Sequence, residues 1–335
     1  MKQAVMLTTA GKPMLEKVYQ PETLQALCAA LRFLPDIVSG ERLASLGGAY
    51  REARYIFSTW GMPALTESEW ADAFPALEAV FYAAGSVQGF ARPLLARNVR
   101  VYSAAMANGV PVAEFTVAQI ILANKGYFQT LSRYRADGFR AANGFTQALP
   151  GNFGATVGIL GAGAIGKLVI RMLSAYRLNI LVFDPFLPDA EAKALGVRKV
   201  SLEDVFARSL VVSNHLANNA QTQGILRYAH FALMRPNGTF INTGRGAQVV
   251  EADLARALRE EPGRTALLDV TDPEPVAADS PWFRLPNVHV TPHISGSAGH
   301  EVGRMGEFML AAYRAHEAGQ PFAGEVTEGM LATMA

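Results

Sequence analysis

The stretch VGILGAGAIGK (157–167) runs into LVIRMLSAY (168–176) and, after a short gap, NILVFD (179–184). A branched apolar run leads directly into Gly161, Gly163 and Gly166. Ile165, Leu168, Val169, Met172, Leu173 and Tyr176 then keep helical spacing. Three close glycines alone mark only turns; the order strand, glycine turn, helix makes them specific. Gly161 permits the tight turn, Gly163 lets the backbone approach a pyrophosphate, and Gly166 lets helix pack on strand. The helix start at Ala164 and Ile165 offers free N–H groups and a positive dipole end to phosphates. Asp184 closes the next strand 18 residues beyond Gly166. An acid there accepts ribose hydroxyls and repels a 2′-phosphate, which favours NAD over NADP. The plainer alternative for Asp184 is a strand-end or Asx-turn acid beside Pro185. The unit as a whole reads as a dinucleotide-binding Rossmann domain.

Working outward, strand-like runs recur at SLVVSNH (209–215), GTFINTG (238–244), TALLDV (265–270) and NVHVTPH (287–293), with helical stretches between them. One of these, SLEDVFARS, places Ser201 and Asp204 as a capping box. Upstream, AVMLTT (4–9), PDIVS (35–39), ARYIFSTW (53–60), ALEAVFYAAG (76–85) and VRVYSA (99–104) alternate with the helical PETLQALCAALRF and ERLASLGG. Strands alternating with helices imply parallel sheets covered on both faces. The fold class is therefore α/β, with two doubly wound parallel-sheet domains. Between them, residues 111–134 read as one long buried helix and residues 136–154 as an extended arm or surface loop. The last helical segment, HEVGRMGEFMLAAYRAHEAG, has no strand after it and suits a return to the first sheet.

The chain has 335 residues, half of them hydrophobic, with 30 Lys+Arg against 29 Asp+Glu. This suits a folded chain of about two domains and provides no bulk field for nucleic acid, anionic membrane or an acidic partner. The single cysteine, Cys28, excludes an intramolecular disulfide and a cysteine zinc cluster. The N-terminal apolar run is too short for a signal peptide, and no uninterrupted apolar stretch reaches ~18 residues. The expectation is a cytoplasmic protein. No histidine pair has metal-ligand spacing, so no metal is assigned.

Doubly wound sheets gather function at the carboxyl ends of their strands. Three polar residues sit at such ends: Arg245 between Gly244 and Gly246 after FINT, Glu274 in DVTDPEP, and His293 after VTP. Separately each has an ordinary reading as a turn or loop residue. Together they suit reduction of a 2-oxo acid. A guanidinium forks to carboxylate and carbonyl oxygens, a histidine donates the proton that a developing alkoxide needs, and a carboxylate beside it fixes the tautomer.

These motifs resemble the D-isomer-specific 2-hydroxyacid dehydrogenases over most of the chain. PVAEFTVAQIILA resembles the family's interdomain helix and VGILGAGAIGK its nucleotide fingerprint. MRPNGTFINTGRGAQVVEADLARAL, LLDVTDPEP and VTPHISG resemble its arginine, acidic and histidine motifs. The resemblance implies that Arg245 binds and polarises the substrate and that His293 is the acid/base supported by Glu274. It also implies that Asp269 holds the nicotinamide carboxamide, that Thr243 lines the nicotinamide, and that His215 precedes a loop on the adenine side. Backbone N–H groups of Gly85, Ser86 and Val87 would hold the substrate carboxylate. Two positions depart from the pattern: Gln88 and Gly89 follow that turn, and Ala217 stands where a proline is usual.

By the same resemblance a flavodoxin-like substrate domain, 1–105 with 298–335, receives the inserted NAD-binding domain, 106–297. A cleft between them would have hinges near 105–112 and 294–298, and the long helix and arm would make a homodimer interface. The implied function is NAD-dependent hydride transfer on a small acid such as glyoxylate, hydroxypyruvate or glycerate. The chain ends soon after the return helix, so the regulatory domain of many phosphoglycerate dehydrogenases is not expected. An NADH-sensing binding protein like the C-terminal-binding-protein corepressors is the alternative from another class, and phosphite oxidation a third.

Overall fold

The structure, a computed structural model, describes residues 1–39 and 48–332. The helix expected over ERLASLGG lies, apart from Gly48, outside the described residues. The chain forms two compact units, one of Met1–Gly109 with Ser297–Ala335 and the other of Val110–Gly296.

The first unit begins with strands β1 (Gln3–Leu7), β2 (Arg32–Phe33), β3 (Ala53–Ser58), β4 (Ala79–Tyr82) and β5 (Arg100–Ser103). Its helices are α1 (Lys12–Val18), α2 (Pro21–Ala30), α3 (Glu67–Ala73) and α4 (Ala91–Ala96). All four residues of β4 are buried, as expected of a strand covered on both faces. Phe57, Phe81 and Tyr102 stand in register across β3, β4 and β5, with ring centroids 4.8 and 5.1 Å apart. Each such pair adds ~0.5–1.5 kcal/mol beyond burial alone. PDIVS is not the strand it was expected to be. The chain follows β1 through Leu34 N to Ala4 O and Ile37 N to Met6 O, leaving only an isolated bridge at Ile37. Pro35 lies between and has no N–H to continue the ladder.

Helix α5 (Ala105–Asn124) carries the chain across the unit boundary. Its length and mean hydropathy of 1.3 match a membrane span. Its apolar residues have a partner nonetheless: Ala113, Ile120 and Ala123 belong to the second unit's core. The expected single helix over 111–134 is broken at Gly126 (φ 64°), and α6 (Tyr127–Gln147) follows. The expected arm is therefore helical. Gly138 (φ 77°) interrupts it, Thr130 pairs with Thr146 at 3.1 Å, and Arg133 lies over the Phe145 ring, so the two halves fold back antiparallel. Glycine placed this way makes a helical hairpin rather than a loop.

The second unit continues with β6 (Phe153–Leu160), α7 (Ala164–Leu173), β7 (Arg177–Phe183), α8 (Asp189–Ala194), β8 (Arg198–Lys199), α9 (Leu202–Arg208) and β9 (Val211–Asn214). It ends with α10 (Tyr228–Phe231), β10 (Thr239–Asn242), α11 (Glu251–Glu260), β11 (Thr265–Leu268) and β12 (Val288–Val290). The seven strands are all parallel, in the order β12-β11-β10-β9-β6-β7-β8. Strand β6 lies between β9 and β7, and the order reverses beside it, which opens a crevice at the carboxyl ends of β6 and β9. Ser201 caps α9 by accepting from Asp204 N.

The chain then returns to the first unit as α12 (Val302–Glu317). Val302, Met305, Met309, Ala312 and Tyr313 join the core on one face of the first sheet. A short strand, β13 (Glu325–Val326), follows and pairs antiparallel with β5. The last helix therefore does have a strand after it, and the first sheet, ordered β13-β5-β4-β3-β1-β2, is mixed at that edge. Two residues carry too little periodicity to read from sequence.

Candidate active site

The glycine turn is shaped chiefly by close backbone approach. Gly161 has φ +86°, and a Cβ there would meet the His215 carbonyl oxygen at 2.7 Å. A Cβ on Gly166 would lie 2.1 Å from the Gly161 carbonyl oxygen, so α7 packs on β6 only because both side chains are missing. Gly163 differs: a Cβ there would meet nothing within 4 Å. No protein atom requires that glycine, and open space at this point suits an incoming pyrophosphate. The first N–H groups of α7, from Ala164 and Ile165, start beside it with no intrahelical acceptor.

Asp184 takes the structural role that its sequence position allows. Its carboxylate accepts from Ala162 N at 2.6 Å, Phe186 N at 2.7 Å and Leu187 N at 3.1 Å, tying the glycine turn to the end of β7. It is thus an Asx-turn acid, and a carboxylate retains lone pairs for a ribose hydroxyl. Across the turn, His215 pairs through Nε2 with Ser213 Oγ at 2.9 Å. Burial pushes its pKa down to about 4, so it is neutral at pH 7, and its Nδ1 is buried without a partner among the described residues. Such an orphaned nitrogen beside a phosphate-shaped turn fits a polar ligand group.

On the other side of the sheet's midline, β10 ends at Asn242 and leads into Thr243, whose hydroxyl pairs with that of Thr116 on α5 at 3.0 Å. Arg245 follows, half-buried, donating from a guanidinium nitrogen to the Gly244 carbonyl at 2.8 Å. Burial lowers its pKa and the Glu274 carboxylate opposes that shift. A Cβ on Gly246 would lie 2.0 Å from the Thr271 carbonyl carbon. That bare approach seats the arginine turn against the loop carrying Glu274.

Glu274 Oε1 lies 2.6 Å from His293 Nδ1, with both side chains part-exposed at 43% and 45%. The remaining ring nitrogen, Nε2, is thereby left for another partner. His293 has φ 54°, rare for a side-chain-bearing residue, and Asp269 holds it there. The Asp269 carbonyl accepts from His293 N at 3.0 Å. The buried Asp269 carboxylate accepts from Thr291 Oγ1 at 2.6 Å, Ile294 N at 2.8 Å and Ser295 N at 2.9 Å. Asp269 therefore clamps the turn that presents the histidine.

In the first unit, the turn after β4 places Gly85 and Ser86 at the surface and Val87 in the core. Among the described residues none of the three donates its backbone N–H to a protein acceptor. Ser103 Oγ fixes the turn by donating to the Gly85 carbonyl at 2.7 Å. Sequence reading missed three buried amides of the second unit, Asn214, Asn242 and Gln248. Their signal was present, since Asn214 and Asn242 interrupt apolar strand runs, and a buried amide must find partners.

The model of the D-isomer specific 2-hydroxyacid dehydrogenase NAD binding domain matches residues 117–295, more than half of the chain. The chain belongs to this family. Residues 117–295 are its NAD-binding domain, which the open Gly163 and the orphaned His215 nitrogen fit. The D-3-phosphoglycerate dehydrogenase of Mycobacterium leprae is 32% identical over 238 residues, which cover 70% of this chain and 44% of that protein. The chain thus spans less than half the length of that relative. Among solved structures, a phosphoglycerate oxidoreductase from Rhizobium etli is similar with TM-score 0.81 and 23% identity, covering 99% of this chain and all of that one. The D-mandelate dehydrogenase of Rhodotorula graminis gives TM-score 0.82 and 20% identity, covering 98% of each chain. At such identities the two structures show the shared two-sheet α/β fold of this dehydrogenase family.

Proposed function

We propose that this chain is an NAD-dependent dehydrogenase that interconverts a small 2-oxo acid and the corresponding 2-hydroxy acid, of the glyoxylate, hydroxypyruvate or glycerate class. The observation that carries the reading is the His293–Glu274 pair at 2.6 Å, presented beside a half-buried Arg245. When bound, the nicotinamide gives or takes the hydride. Arg245 forks to the carboxylate and the carbonyl oxygen, drawing charge toward that oxygen. His293 Nε2 donates its proton to the oxygen as hydride reaches the carbon and removes it in the reverse direction. Glu274 holds Nδ1 and so fixes which nitrogen faces the substrate.

The test is a panel of 2-oxo acids with NADH and with NADPH, followed by loss of nicotinamide absorbance. Turnover of at least one acid, faster with NADH, is expected. NADH binding without turnover of any acid would replace this reading with that of a cofactor-sensing binding protein.

A further inference from the structure

Asn214, Asn242 and Gln248 form one closed network at the carboxyl ends of β9 and β10. Asn214 and Gln248 are 0% exposed and Asn242 1%. Gln248 Nε2 uses both hydrogens, on the carbonyls of Leu216 at 2.7 Å and Ala217 at 2.9 Å. Its Oε1 accepts from Asn214 Nδ2 at 2.6 Å and from Arg245 N at 3.4 Å. The second Asn214 Nδ2 hydrogen goes to Asn242 Oδ1 at 3.0 Å, and Asn214 Oδ1 accepts from Leu216 N at 3.3 Å. Asn242 Oδ1 also accepts from Gly244 N, and its Nδ2 donates to the Arg245 carbonyl, both at 3.1 Å. Flipping any one amide would set donor against donor, so each orientation supports the others.

The network has two clients. On one side it holds Leu216 and Ala217, which follow His215, whose carbonyl packs against Gly161. On the other it holds Gly244 and both backbone polar groups of Arg245. A shift of either loop alone leaves buried donors or acceptors unpaired, a penalty that ordinary loop hydrogen bonds to water do not carry. The two loops therefore keep one another in place.

We propose that Gln248, with Asn214, is a positioning residue that couples the cofactor side to the substrate arginine. Cofactor seated against the loop after β9 tightens 2-oxo acid binding at Arg245, and by reciprocity the acid tightens cofactor binding. This rests on the assignment of Arg245 made under Proposed function. Gln248 touches neither ligand in this scheme and acts only through the backbone of residue 245.

The test uses the full chain, NADH, and oxamate as an unreactive 2-oxo acid analogue. In the wild type, saturating NADH should tighten oxamate binding by about fivefold or more, the lower range of a typical coupling. In Gln248→Met the ratio should fall to within about twofold. The KM for the oxo acid should rise about tenfold, the loss expected from unpairing buried polar groups, with kcat changed by less than about threefold. Asn214→Ala cuts the same network at its other end and should show the same loss of ratio if Gln248→Met does not fold. A folded variant of either kind that keeps the wild-type ratio overturns the proposal, as does a wild type in which NADH leaves oxamate affinity unchanged. If the wild type binds NADH but turns over no oxo acid, the dehydrogenase reading itself fails. That outcome is separate from turnover with an uncoupled or unaltered ratio.

Discussion

Two loops of the second unit end neighbouring parts of one parallel sheet and are made rigid by opposite means. The glycine turn after β6 is held by exclusion: Gly161 and Gly166 bring bare backbone to within contact of the His215 and Gly161 carbonyls. The arginine turn after β10 is held by inclusion, through three buried amides that occupy the Gly244 N–H and both backbone polar groups of Arg245. The first arrangement tolerates no added volume at Gly161 or Gly166 and takes its one side-chain tie from Asp184. The second tolerates conservative volume changes and no unpaired amide. On the proposed function, what differs is the ligand each loop must meet. A pyrophosphate needs the backbone itself close by, whereas a substrate acid needs one long side chain aimed from a fixed base.

On the proposed function both loops hold ligands, and proton transfer falls to His293, which lies on neither loop. His293→Ala is the largest break available. Among the described residues its ring hydrogen-bonds only to Glu274, and activity should fall by about three orders of magnitude. NADH affinity and melting temperature should stay at wild-type values. Loss of NADH affinity in a folded His293→Ala protein would show that the histidine also builds the cofactor site. The paired variants Gly166→Ala and Gly163→Ala come next. Gly166→Ala drives a methyl into the Gly161 carbonyl and should cost ~2–3 kcal/mol of stability, as overpacking does. Gly163→Ala meets open space and should leave stability within ~0.5 kcal/mol while weakening NADH about tenfold. Equal stability losses from both would erase the distinction between a glycine required by protein and one required by ligand.

A further effect concerns pH. His215 titrates at about 4 when folded, against 6.5 for an ordinary histidine. The unfolded chain therefore binds the proton first as pH falls. The stabilisation is complete above pH 6.5 and is lost between 6.5 and 4, by up to ~3 kcal/mol. Denaturant midpoints at pH 7.5 and 4.5 should separate more for the wild type than for His215→Asn. Parallel shifts would mean that this ring is not the titrating weak point behind the glycine turn.

Features with a strong period or an obligatory residue type were legible in the sequence. The strand, three glycines, helix and Asp184 could be read because each has its own steric or electrostatic requirement. Glu274 and His293 could be paired because both follow strands of one parallel sheet. Cooperative features were harder. Gly138 reads as a loop-former in isolation, and only the pairing of Thr130 with Thr146 shows that it turns one helix onto another. Asp269 reads as a ligand group, and only the three donors around its carboxylate show that it clamps the histidine turn. Pro35 withdrew one donor and dissolved an expected strand whose composition was otherwise right.

The return of α12 and β13 to the first sheet has a consequence for synthesis on the ribosome. Chains emerge N-terminus first, and domains generally fold as units when complete. Here the residues that start the chain wait for Val302, Met305 and Met309 to finish one face of their core and for Val326 to cover the edge of β5. The inserted cofactor unit, 110–296, is whole before any of these has been made. The part of the protein that is born first is thus the last to be finished, and it matures beside a partner already folded.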